Sequence, residues 1–168
     1  MKIKTCLAAI LVEQNQPLEI EYIEFPEELE VGQVLVKLHY SGICGSQLGE
    51  IRGVKGNDPY LPHLMGHEGC ATVLEIGQGV KTVNPGDLVV LHWKKGDGID
   101  SNPPRYKFRD LNLNAGWVTT FNEYAVVSEN RCTTIPKDTN KKIASLFGCA
   151  ITTGFGTIEN IANLQIGE

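Results

Sequence analysis

The stretch from Gln33 to Ser41 places Val34, Val36, Leu38 and Tyr40 on one face and Lys37 and His39 on the other. A side-chain period of two is the mark of a half-buried strand and is incompatible with an amphipathic helix. The same pattern recurs in short pieces. Thr5–Val12 is rich in strand formers and ends at the turn signal Asn15-Gln16-Pro17. Leu18–Tyr22 alternates Leu18, Ile20 and Tyr22 with Glu19 and Glu21. Ala71–Ile76, Leu88–Leu91, Thr120–Val127 and Arg131–Pro136 read as further strands, and Val83-Asn84-Pro85-Gly86-Asp87 as a strong turn. Helical spacing appears late, at Lys141–Phe147 and Thr152–Asn163, apart from one short turn at Gln47–Arg52. The expected fold is mainly β, a barrel or sandwich with little helix before residue 140.

Composition agrees. The 18 glycines of 168 residues, about 11% against an average near 7%, supply the turns that many short strands need. The length fits one domain. A net charge of −5 argues against nucleic acid or an anionic membrane as partner, since both select basic surfaces. The longest apolar run, Cys6–Val12, is seven residues, far below the roughly 20 of a membrane-spanning helix. It is followed by Glu13-Gln14-Asn15-Gln16 without a small-residue cleavage site, so it reads as a first strand rather than a signal peptide. Five cysteines without close-spaced pairs do not form a disulfide framework, and a cytoplasmic location is expected.

Chemistry concentrates at Cys44, His67, Glu68 and Cys149, with Cys132 a further thiol. Zinc accepts thiolate, imidazole and carboxylate, and a catalytic zinc draws three ligands and keeps one position open. Separations of 23 and 82 residues between Cys44, His67 and Cys149 are compatible with such a site but not diagnostic. Buried thiols and a hydrogen-bonded histidine explain the same residues. Glycines beside each one, at Gly42, Gly45, Gly66 and Gly148, suggest close backbone approach.

Gly42-Ile43-Cys44-Gly45-Ser46 with Gly66-His67-Glu68 resembles the signature of the zinc-dependent alcohol dehydrogenases, the medium-chain dehydrogenase/reductase family. The run Leu146–Gly156 resembles the family segment that carries the third zinc ligand, and Asn84–Val89 its Gly-Asp-x-Val turn. The resemblance covers the whole chain, with four motifs in order. It implies a GroES-like, partly open β barrel spanning residues 1–168. It further implies one catalytic zinc on Cys44, His67 and Cys149, Glu68 as an exchange ligand, and Ser46 as the hydroxyl that moves the alcohol proton. The implied activity is hydride transfer between a small alcohol or aldehyde, sugar-like ones included, and NAD(P), in a protein that can be a homo-oligomer.

The chain departs from the family in four places. Gln47 stands where the family has an aspartate on the histidine ligand, Gly49 where many members have the outer histidine of a proton relay, and Ala71 where a glycine is expected. A neutral amide at Gln47 is expected to accept the histidine hydrogen bond and leave a weaker metal ligand than a carboxylate would. Trp93–Trp117 lacks the four cysteines of the family's structural zinc lobe, so one zinc is expected, not two. The strand and Gly-x-Gly-x-x-Gly turn of a dinucleotide site are not found in residues 1–168, which stop at Ile166-Gly167-Glu168. The chain therefore reads as a catalytic domain without its Rossmann domain, binding NAD(P) alone no tighter than millimolar. The alternative is a non-catalytic GroES-like barrel used for binding or assembly. His39 is expected on a solvent-exposed face and His63 on a loop surface, with His92 a lesser candidate for the cleft. Trp93, Trp117 and Phe121 are candidates to line a substrate pocket, although aromatics near a long loop are more often packing anchors.

Overall fold

A computed structural model describes Met1, residues 3–162 and Leu164. Among these described residues, ten strands form two five-stranded antiparallel sheets. The first contains β1 (Thr5–Leu11), β2 (Glu19–Glu24), β4 (His63–Leu64), β7 (Tyr106–Phe108) and β8 (Leu111–Leu113), in the order β4-β1-β2-β7-β8. The second contains β3 (Gln33–Ser41), β5 (Gly69–Ile76), β6 (Leu88–Leu91), β9 (Tyr124–Ser128) and β10 (Cys132–Ile135), in the order β10-β6-β5-β3-β9. A bridge from Ala8 to Asn122 ties the two sheets together, and the result is a nearly closed barrel of GroES-like type.

The strand β3 occupies the bounds its alternation predicts and is buried on both faces over its first half. Val34 and Val36 enter one core cluster with Ala71, Val73, Val89 and Leu91. Leu35, on the opposite face, enters a second with Ile10, Ile23, Phe25, Tyr106 and Phe108. Cys6, Cys70 and Cys132 are buried, as small core residues should be. Burial pushes the Cys6 thiol up to about 11 and the Cys132 thiol up to about 12.

Three expectations need correction. In β2 the alternation points the wrong way: Ile20 and Tyr22 are 61% and 67% exposed, and Ile23 is the buried residue, facing Cys6 across the ladder. Ile20 lines a shallow open groove on the outside of the barrel, so that face is left uncovered. The region Trp93–Trp117 lacks visible periodicity but contains β7 and β8, whose Tyr106, Phe108 and Leu113 are buried. Three-residue strands are too short to show a period. The strand expected from Thr120 begins at Tyr124, because residues 120–122 cross between the sheets instead.

The helices are few. One, α1 (Gly45–Ile51), follows β3 directly; α2 (Lys141–Ala144) and α3 (Ala150–Gly156) lie near the C-terminus. Asn140 caps α2 by accepting from Lys142 N–H and Ile143 N–H. The helix expected over Thr152–Asn163 starts earlier, at Ala150, and passes into a π-type turn over Thr157–Ala162. Asn163 and the terminal Ile166-Gly167-Glu168 lie outside the described residues. Among the described residues no helix is long and apolar enough to cross a membrane.

Candidate metal centre

Three separate chain reversals meet at one end of the barrel. Cys44 is the N-cap of α1, three residues past the end of β3, with extended φ/ψ of −101° and 154°. His67 precedes β5, and Cys149 precedes α3. Close backbone packing brings them together. Gly66 has φ +90°, and a Cβ there would lie 2.2 Å from Thr120 Oγ1. A Cβ on Gly148 would lie 2.1 Å from the Leu91 carbonyl oxygen. Only glycine permits either approach. Gly45, by contrast, has open space around it, so the glycine after Cys44 is not required by contact.

One candidate ligand atom from each of Cys44, His67 and Cys149 lies within 4.8 Å of the other two. All three residues are half-buried. Nδ1 of His67 contacts Gln47 Nε2, and Nε2 of His67 is buried with no hydrogen-bond partner among the described residues. A buried, unpartnered imidazole nitrogen beside two thiols is costly unless something else satisfies it. Two sulfurs and one imidazole are the donor set of a three-ligand zinc site. The residues present therefore fit zinc.

Electrostatics prepares the donors unequally. The Ser46 hydroxyl and backbone N–H hydrogen-bond the Cys44 sulfur and hold its thiol below the ordinary range. Burial, with Cys44 alongside, raises the Cys149 thiol. Burial also lowers His67, against the pull of Glu68 and Glu50, and so favours the neutral imidazole. Cys44 is thus the first of the two thiols to ionise, and a metal would have to displace the Cys149 proton.

Glu68 is fully buried, and its Oε2 accepts from Ala150 N–H at 3.0 Å. Its side chain fills the space beside Gly42, where a Cβ would lie 2.4 Å from Oε1. The carboxylate thereby fixes the first residue of α3, and with it Cys149. Ser46 is exposed next to Cys44, on the second position of α1.

A cleft of about 990 Å³ opens onto this corner, lined by Gln47, Glu50, His63, His67, Trp117 and Val118 among others. His63 is half-buried in its wall, not on an open loop: Nε2 meets Asp58 Oδ2 at 2.9 Å and Nδ1 meets the Leu64 carbonyl at 3.0 Å. His92 does not line the cleft; its ring bonds the Lys94 carbonyl and Thr133 Oγ1. His39 is held by Thr72 Oγ1 at 2.8 Å and is half-buried. Trp117 lies under the Arg131 guanidinium at 5.6 Å, while Trp93 is 53% exposed.

Sequence reasoning missed Glu129. Buried at the end of β9, it accepts from Lys81 N–H, Thr82 N–H, Thr82 Oγ1 and Ile99 N–H at 2.6–3.0 Å. It pins the long loop after β6 to the barrel and so shapes one wall of the cleft. A glutamate in an unremarkable Ser-Glu-Asn-Arg string carries no signal of this.

A nearly closed antiparallel barrel with a Cys/His/Cys cluster at its open end defines a GroES-like domain of the metal-binding kind. Residues 30–137 match the family of the alcohol dehydrogenase GroES-like domain, and the chain belongs to that family. It is 29% identical to S-(hydroxymethyl)glutathione dehydrogenase of Escherichia coli O1:K1, over 96% of this chain and 50% of that protein. The chain spans about half the length of the curated relatives it matches. The fold is shared with an alcohol dehydrogenase zinc-binding domain protein from Burkholderia ambifaria, with a TM-score of 0.83 at 24% identity over 98% of this chain and 50% of that one. It is shared too with the alcohol dehydrogenase of Aeropyrum pernix, with a TM-score of 0.70 at 25% identity over 94% and 48%.

Proposed function

We propose that this chain is the zinc-bearing catalytic domain of an NAD(P)-dependent dehydrogenase acting on a small alcohol or aldehyde. The observation that carries the reading is the convergence of Cys44, His67 and Cys149 within 4.8 Å, with His67 Nε2 left unpartnered. A barrel used only for binding or assembly has no need of that set. Zinc held by the three side chains would act as a Lewis acid on the substrate oxygen.

The chain's own residues supply the remaining tasks. Ser46 lies beside Cys44 at the exposed rim, where its hydroxyl can pass the alcohol proton outward once it lets go of the Cys44 sulfur. Glu68 keeps Cys149 in place through Ala150 N–H, and would have to release that donor before it could serve as a ligand itself. Trp117 and Val118 give the cleft an apolar stretch of wall for the substrate's carbon skeleton. We assign NAD(P) binding to the portion of such a protein that matches the other half of the relatives' length. Free thiols at all five cysteines suit a reducing, cytoplasmic compartment.

Ser46→Ala in the full-length protein tests the role of the hydroxyl. The expected result is a fall in kcat of about 100-fold or more, typical of a lost proton-transfer group, with zinc content unchanged. A zinc-loaded variant turning over at the wild-type rate would remove Ser46 from the mechanism.

A further inference from the structure

Gln47 is the third residue of α1 and only 2% exposed. Its carboxamide meets two partners. Cys44 N–H donates to Oε1 at 2.8 Å. A peptide N–H can only donate, so this contact fixes which amide atom faces it. The other atom, Nε2, is left against Nδ1 of His67. An amide nitrogen is also only a donor, so Nδ1 accepts. The single proton of the neutral ring then sits on Nε2, the buried nitrogen that has no partner among the described residues. That is the reverse of the expected bond, in which the glutamine accepts from the histidine. A nitrogen that binds a metal must offer a lone pair, and a protonated Nε2 offers none.

We propose that Gln47 is a positioning residue that holds metal-free His67 in the tautomer unable to ligate, so that zinc uptake requires an exchange of hydrogen bonds at Gln47. The proposal rests on the reading of Cys44, His67 and Cys149 as the zinc site. In the exchange the ring keeps one proton throughout. Nε2 gives a proton to solvent as the metal arrives, and Nδ1 takes one from solvent. Nδ1–H then needs an acceptor. Turning Oε1 toward the ring sets Nε2 against Cys44 N–H, donor against donor. The amide thus cannot serve both partners with its two ends, whereas a carboxylate of the same length accepts from both. Partners that orient a ligating histidine typically change metal affinity 10–100-fold. Gln47→Glu is therefore expected to bind zinc about 10–100-fold tighter than the natural chain.

Two measurements on the whole chain test this. Nitrogen-15 NMR of the metal-free protein reads the His67 tautomer, with Nε2–H expected for the natural chain and Nδ1–H for Gln47→Glu. Competition with a chromophoric chelator reads zinc affinity. An affinity gain from added negative charge alone would leave the tautomer unmoved, and that outcome overturns the proposal. So does an Nδ1–H tautomer in the natural metal-free chain, a result that needs no variant to fold. Equal zinc affinities with metal bound to both proteins overturn it while leaving the zinc site standing. Failure of both proteins to take up zinc removes the site itself and the proposal with it.

Discussion

His67 and Glu129 are both buried polar groups at the ends of strands, and their surroundings differ in one respect. Glu129 receives four hydrogen bonds from Lys81, Thr82 and Ile99. Among the described residues His67 has one hydrogen-bond contact at Nδ1 and none at Nε2, with two thiols alongside. A buried carboxylate with its acceptor capacity filled is a structural anchor. A buried nitrogen with no partner, inside a shell of soft donors, is half of a site. The difference separates what holds this fold together from what the fold is for.

That contrast predicts unequal mutational effects. The largest is expected at Glu129. Glu129→Ala removes the acceptor of four part-buried hydrogen bonds, at about 0.5–1.5 kcal/mol each, so a loss of about 3 kcal/mol is expected in urea denaturation. Zinc content should be unaffected in whatever fraction stays folded. A loss below about 1 kcal/mol would mean that the carboxylate is not the anchor.

Gly66→Ala should cost somewhat less, about 2 kcal/mol, from a strained left-handed backbone and a Cβ driven onto Thr120. Because His67 is the next residue, this variant should also hold zinc more weakly. Thermal unfolding with and without zinc checks both parts.

The smallest effect is in pH. Burial raises the Glu129 carboxyl, but backbone donors led by Lys81 and Ile99 outweigh it and hold it below the usual carboxylate range. A lowered folded value contributes stability above the ordinary value, near 4.5, that is lost as pH falls through the folded one. Glu129→Gln lacks this contribution. The stability gap between the two proteins should be full at pH 7 and narrow steadily below about pH 4.5. A gap independent of pH down to 3 would contradict the assignment.

The two regions also differ in how far the sequence exposes them. Regular alternation made β3 legible residue by residue, and glycines beside Cys44, His67 and Cys149 pointed to close approach at the site. Gly66 and Gly148 meet that expectation, while Gly45 does not. Alternation misled at β2, because period two reports a strand but not which face another layer covers. The lobe around Glu129 was illegible. Its strands are three residues long, and its anchor works through backbone N–H groups distant in the chain, which leave no pattern in side-chain type. Gln47 stands out in the sequence as a departure, but the direction of its hydrogen bond depends on Cys44 N–H, a backbone group that residue types do not reveal.

The central claim is that Cys44, His67 and Cys149 form one metal site on a barrel that folds without depending on them. Its most direct test is metal analysis of the purified chain beside Cys44→Ala and His67→Ala, with circular dichroism on the same samples. The account predicts one zinc per natural chain, none in either variant, and an unchanged β spectrum in all three. Two tightly held zincs, zinc retained by both variants, or loss of the β spectrum in either would contradict it.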